Sequence, residues 1–135
     1  MAQINTYINF NGQCREALSF YQQCLGGELN LQKISESPMA AQMPSEKAGN
    51  ILHGTLVSDG IIIMASDISA THFVKGNNVN LCLQCSNKKE LETFFETLSV
   101  AGNVKTPLHQ TFWGATYGEF TDRFGINWIL NYAKN

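Results

Sequence analysis

The sequence predicts an α+β fold built from two tandem β-α-β-β-β modules, and three observations carry that reading. The hydrophobic period changes from two to three-and-four and back to two, and it does so twice along the chain. The second half repeats the first. Shifted by 75 positions, Ile8 meets Leu83, Phe10 meets Cys85, Phe20 meets Phe95, Leu25 meets Val100 and Gly27 meets Gly102. The closing strand pairs align at an offset near 65, because the second half has the shorter central loop. Module 1 therefore covers about residues 1–70 and module 2 about residues 77–135.

Each element follows from local pattern. Ile4 to Phe10 alternates, and Asn11-Gly12 breaks the alternation. Cys14, Ala17, Leu18, Tyr21 and Leu25 then recur at helical spacing, and Gly26-Gly27 ends the helix as glycine does past a C-terminus. A short strand runs through Leu29, Leu31 and Lys33. The stretch Ser35 to Asn50 is long for a connection in a compact domain, so it is expected to be either mobile or functional. Met39 and Met43 would suit an adaptable lid there, with a disordered linker as the alternative. His53 to Ser58 and Ile61 to Ser66 form a hairpin around Asp59-Gly60. In the second half, Val79 to Cys85 reads as a strand. Asn87 with Glu90 opens a helix anchored by Leu91, Phe94, Phe95 and Leu98. Ala115 to Phe120 and Ile126 to Tyr132 pair around Thr121 to Gly125.

Strand alternation sorts the side chains into two chemistries. Ile8, Phe10, Ile61, Ile63, Leu81, Leu83, Trp128 and Leu130 are uniformly apolar and belong under the helices. The opposite set is largely polar: Asn5, Tyr7, Asn9, Ser66, Asn80, Gln84, Asn127 and Asn131, together with Ile62, Met64, Cys82 and Ile129. Two modules side by side would curve their sheets into a cup-shaped mixed sheet, lined by this second set, with the helices outside. Such a lining suits contact with something polar.

Composition narrows the function. Only 15% of the chain is charged, against roughly 25% in an average domain. Asn and Gln number 21, more than the 20 charged residues, whereas there are three His and three Asp. A net charge of −2 without a basic cluster offers no electrostatic footprint for nucleic acid. The apolar run Gly60 to Ala65 is far shorter than the roughly 20 residues a membrane helix needs. Met1-Ala2-Gln3 lacks the basic and apolar segments of a secretory leader, so a cytoplasmic location with reduced thiols is expected. Cys82 and Cys85 are spaced like a redox pair, but on a strand they point to opposite faces and read as structural.

No nucleophile elbow, phosphate loop or glycine-rich cofactor loop is visible, and His53, His72 and His109 form no short metal-spaced pair. Asp122 reads as a carboxylate that stabilises its own turn. Phe112-Trp113 and Tyr117 read either as a ligand wall or as packing between halves or subunits.

The repeated unit is similar to the vicinal oxygen chelate superfamily, which includes glyoxalase I, bleomycin-resistance proteins and extradiol dioxygenases. The residues that carry the resemblance begin with Phe20-Tyr21 and Leu25-Gly26-Gly27. Within that superfamily the chain resembles the PhnB-like, demethylubiquinone-methyltransferase-like branch. Here the matching stretches are Tyr7-x-Asn9-Phe10-x-Gly12-x-Cys14, Gln110-Thr111-Phe112-Trp113-Gly114, Tyr117-Gly118 and Asp122-Arg123-Phe124-Gly125-x-x-Trp128-x-x-Asn131. The resemblance spans essentially the whole chain as a single glyoxalase/bleomycin-resistance-like domain.

It implies a homodimer and, in metal-dependent members, four ligands that project into the cup. Carried onto this sequence, those positions are Asn5 (or Thr6), Met64, Asn80 and Ile129. Two amides, a thioether and an alkyl group are no coordination set for a first-row metal. The expectation is thus a metal-free, cofactor-free binder of a small organic molecule. Its site would comprise Tyr7, Asn9, Met64, Asn80, Cys82, Gln84, Trp113, Tyr117 and Asn131. The alternative is a lyase, isomerase or dioxygenase with a relocated metal site, for example at His53, His109 and Glu119, or with acid–base chemistry from Tyr7 and Glu119.

Overall fold

A computed structural model describes residues 2–42, 49–67 and 73–133. His72 and Met43 lie outside the described residues, so the proposed lid is described only through Pro38–Gln42, a short 3-10 helix that contains Met39. The chain forms two compact units, Met1–Val74 and Lys75–Asn135.

The first unit runs β1 (Thr6–Asn9), α1 (Cys14–Leu25), β2 (Glu28–Lys33), β3 (Ile51–Ser58) and β4 (Ile61–Ser66). The second runs β5 (Leu81–Gln84), α2 (Lys88–Leu98), β6 (Asn103–Gln110), β7 (Ala115–Thr121) and β8 (Asn127–Ala133). The sheet orders are β1-β4-β3-β2 and β5-β8-β7-β6. In each sheet the first strand lies parallel to the last, and the other pairs are antiparallel. The architecture is therefore α+β with two mixed sheets of one repeated topology. β1 is shorter than expected: its pairing begins at Thr6 opposite Ile63, which leaves Ile4 99% exposed. Pro107 sits in β6, an edge strand where its missing N–H breaks no ladder between two neighbours, and the register shifts on both sides of Thr106.

Each helix buries its apolar stripe on one face of its own sheet. Cys14, Ala17, Leu18, Tyr21 and Leu25 are buried in α1, and Leu91 and Leu98 in α2. The sheet side of the two cores includes Leu56, Ile63 and Ala65 in the first unit and Phe120, Trp128 and Leu130 in the second. The repeat extends to two pairs of close approaches. A Cβ at Gly54 would meet Leu18 Cδ1 at 2.5 Å, and one at Gly118 would meet Phe95 Cε2 at 2.6 Å, so both glycines let a helix side chain down onto the sheet. A Cβ at Gly27 would meet the Val57 carbonyl oxygen at 2.3 Å, and one at Gly102 the Thr121 carbonyl oxygen at 2.3 Å.

Two buried aspartates fix the ends. Asp67, just past β4, accepts from Gly12 N (2.9 Å) and Cys14 N (3.1 Å) through Oδ1, and from Ile51 N (2.9 Å) through Oδ2. It caps α1 from across the unit, because the local N-cap Gln13 makes no side-chain cap. Asp122 stabilises its own turn as expected, with Oδ1 accepting from Phe124 N and Ile126 N. Its Oδ2 also takes the Trp128 indole N–H at 2.9 Å.

Candidate functional site

The face of each sheet away from its helix carries the polar residues that alternation assigned to it. In the first unit, Tyr7 and Met64 stand opposite each other, and Thr55 continues the same row. Asn9 pairs with Ser66 one row along. Tyr7 is 47% exposed, its ring centroid 5.9 Å from that of His53, and His53 Nε2 is in hydrogen-bond contact with Thr55 Oγ1 at 3.2 Å. Ser66 departs from the expected open lining: it is buried, and its Oγ has no hydrogen-bond partner among the described residues.

The second unit holds a denser network. One cross-strand row runs Gln84, Asn131, Tyr117, His109, and the next runs Cys82, Ile129, Glu119, Thr106. Asn131 Nδ2 donates to Gln84 Oε1 at 2.9 Å. Tyr117 OH donates to Glu119 Oε1 at 2.6 Å, and Thr106 Oγ1 donates to Glu119 Oε2 at 3.2 Å. The His109 ring stands edge-on to Tyr117 at 5.8 Å, and its Nδ1 is 3.0 Å from the Pro107 carbonyl, so Nδ1 is the protonated nitrogen. The short bond to the Glu119 carboxylate holds the Tyr117 proton, and with partial burial it pushes the phenol up to about 12.

Of the expected site residues, Gln84, Tyr117 and Asn131 thus share one row, with Cys82 on the next. Asn80 precedes β5 and is exposed. Trp113 lies in the β6–β7 turn, where its ring packs edge-on against Phe112 at 4.8 Å rather than against Tyr117. Asn127 is buried and internally committed, with Oδ1 accepting from Thr121 and Lys105 and Nδ2 donating to the Gly76 carbonyl. Thr106 and Thr55 were not legible as members of the site. Their roles depend on cross-strand register, and near Thr106 that register is irregular.

The cysteines were expected to be buried or half-buried, and Cys82 departs from that. Cys82 is exposed, Cys85 is buried, and all four cysteines are free thiols. Burial, with Asp67 adding to it, pushes the Cys14 thiol up to about 12, and burial beside Glu90 pushes Cys85 up to about 11.

The donor set does not fit a family-type metal. Met64 stands between Tyr7 and Thr55, and Ile129 between Cys82 and a lone carboxylate, Glu119, while Asn5 and Asn80 fall outside the strands. No three His, Cys, Asp or Glu side chains gather to hold a metal among the described residues. The backbone N–H groups at both strand–helix turns are already held by this chain's own side chains. Asp67 holds the N–H groups of Gly12 and Cys14. At α2, Asn87 accepts from Glu90 N, while Glu90 accepts from Ser86 N.

Comparison with known proteins gives the same family as the residues. A family model described as 3-demethylubiquinone-9 3-methyltransferase matches residues 2–131. Protein YjdN of Escherichia coli K12 is 31% identical over 141 residues, spanning 97% of this chain and 95% of its own. The solved structure of protein PA1353 from Pseudomonas aeruginosa is 37% identical, covers 100% of both chains and superposes with a TM-score of 0.86. A glyoxalase/bleomycin resistance protein/dioxygenase family enzyme from Burkholderia phytofirmans PsJN shares the fold at 13% identity. Its TM-score is 0.63, over 96% of this chain and 98% of its own. The chain belongs to the PhnB-like, 3-demethylubiquinone-9 3-methyltransferase-like family and has the glyoxalase/bleomycin resistance/dioxygenase fold.

Proposed function

We propose that this protein binds a small organic molecule on the open faces of its sheets and does so without a resident metal. One observation carries the reading. The positions that the resemblance aligns with the ligands of metal-dependent relatives carry amide, thioether and alkyl groups, while the surrounding rows carry hydroxyl and amide side chains, aromatic rings and one carboxylate, Glu119. Amides orient a ligand and hydrogen-bond it, but they exchange no protons usefully near neutral pH. Binding is therefore favoured over turnover. The free thiols support a reducing, cytoplasmic setting.

Elemental analysis of protein purified without added metal or chelator tests the metal-free state. Near-stoichiometric Zn, Ni, Fe or Mn would overturn it. A library of planar, hydroxylated aromatics tests binding: at least one member should raise the melting temperature, and Tyr7→Ala or Tyr117→Ala should remove the shift. Hits whose shifts survive both substitutions would place binding elsewhere and sink the assignment to these faces.

A further inference from the structure

We propose that the open face of the second unit recognises a protonated amine, with Glu119 as its anionic acceptor; this rests on the small-molecule reading above. Glu119 is half-buried on β7, an interior strand of its sheet. Tyr117 occupies one site on Oε1, and Thr106 one on Oε2. A carboxylate has about four acceptor sites, so two donors leave roughly half of them available, one on each oxygen. The two bonds fix the plane of the carboxylate without neutralising it, since both donors are uncharged hydroxyls.

No cation pairs with Glu119 among the described residues. Lys105, next to Thr106 in the chain, directs its ammonium to Asn127 Oδ1 at 3.1 Å instead. The other neighbours in register, Ile129 and Cys82, bring no positive charge. The result is a pre-oriented, uncompensated anion beside two ring systems, Tyr117 and His109, that stand edge to face at 5.8 Å. Ring faces attract cations as well. Asn131 and Gln84 add amide groups in the row beyond Tyr117. An ammonium group supplies up to three donors and a positive charge, which complements this arrangement. A carboxylate or phosphate ligand would meet repulsion from Glu119. A neutral alcohol would recover a hydrogen bond but not the charge.

The experiment titrates the full chain with benzylamine, benzyl alcohol and benzoate at neutral pH, followed by backbone amide NMR shifts. Benzylamine should perturb Thr106, Tyr117, Glu119 and Asn131, and benzyl alcohol should bind there about tenfold more weakly, the loss expected when one charge-assisted hydrogen bond becomes a neutral one. Benzoate should not perturb these residues. In Glu119→Gln, an isosteric change, benzylamine should fall to the affinity of benzyl alcohol. Thr106→Val, which leaves the charge in place, should retain the preference for the amine.

Equal binding of amine and alcohol, unchanged amine affinity in Glu119→Gln, or no perturbation of these residues by benzylamine each overturns the inference. Library hits among neutral aromatics alongside a silent benzylamine would overturn this inference and leave the broader binding reading standing.

Discussion

Tyr117 and Cys14 both hold their protons to high pH, for different physical reasons. The Tyr117 phenol donates to a carboxylate, and removing the proton would set two negative charges 2.6 Å apart. Cys14 is buried at the start of α1, where a thiolate would be poorly solvated and would face the Asp67 carboxylate. Spectrophotometric titration should therefore show a tyrosine step near pH 12 that Glu119→Gln brings back toward 10.0. An unchanged tyrosine titration in Glu119→Gln would refute the assignment. The sign for stability follows from the raised values. Stabilisation from keeping Cys14 and Tyr117 protonated is fully present below their unfolded values, 9.0 and 10.0, and is lost as pH rises through about 12. Urea midpoints should fall progressively above pH 9, and Cys14→Ala should flatten part of that fall. At neutral pH, a thiol reagent followed by mass spectrometry should label exposed Cys82 well before buried Cys14 and Cys85. Labelling of Cys14 at a rate like that of Cys82 would contradict its burial.

At the scale of elements, stability depends on contacts that join segments distant in sequence. Asp67→Ala strands two buried backbone N–H groups, on Cys14 and Ile51, and a part-buried one on Gly12, and at about 1–3 kcal/mol for each buried unsatisfied donor the loss should reach about 2 kcal/mol or more. Urea denaturation measures it, and a loss under about 1 kcal/mol would show that water replaces the carboxylate. Gly102→Ala places a methyl 2.3 Å from the Thr121 carbonyl oxygen, a backbone atom that cannot rotate away, and overpacking of this kind costs about 1–3 kcal/mol. These elements also divide what was legible from what was not. The helices announced themselves through spacings of three and four. The Asn87–Glu90 cap and the Asp59-Gly60 hairpin are local signals, complete within a few residues. Asp67 had no such signal: following Ser66 at a strand end, it resembles any turn residue, and its partners lie 16 to 55 positions away. The Tyr117–Glu119 pair could be read from period two, since both face the same side of β7. Thr106 could not, because its place opposite Glu119 depends on irregular pairing along β6. Asn127 shows the converse failure. Alternation named its face correctly, yet three internal hydrogen bonds withdraw it from any ligand.

For the whole molecule, the feature still to be placed is the turn between β6 and β7. Phe112 is 97% exposed and Trp113 65%, yet this turn is tightly braced. Thr111 N donates to the Ala115 carbonyl at 2.7 Å, Gly114 N donates to the Thr111 carbonyl at 3.2 Å, and Ala115 N donates to Thr111 Oγ1 at 3.0 Å. A stiff turn that presents two aromatic rings has little conformational entropy left to lose on being covered. Each ring can bury roughly 150–250 Å², so covering the pair removes several hundred Å² of surface from water. Two readings of these rings were open from the sequence: a ligand wall, or packing between the halves or between subunits. A second copy of the chain would cover both exposed rings, and a two-fold arrangement would let the same turn serve on both copies. We therefore expect a homodimer. Light scattering on the eluting peak should give twice the 15.0 kDa chain mass, and the double substitution Phe112→Ser with Trp113→Ser should return the mass to that of one chain. Because both rings are largely solvent-exposed, circular dichroism of the double variant should keep its secondary structure, which separates loss of the interface from loss of the fold. A monomeric native protein, or a dimer that survives the double substitution, would remove these rings from any interface and return them to the ligand-wall role.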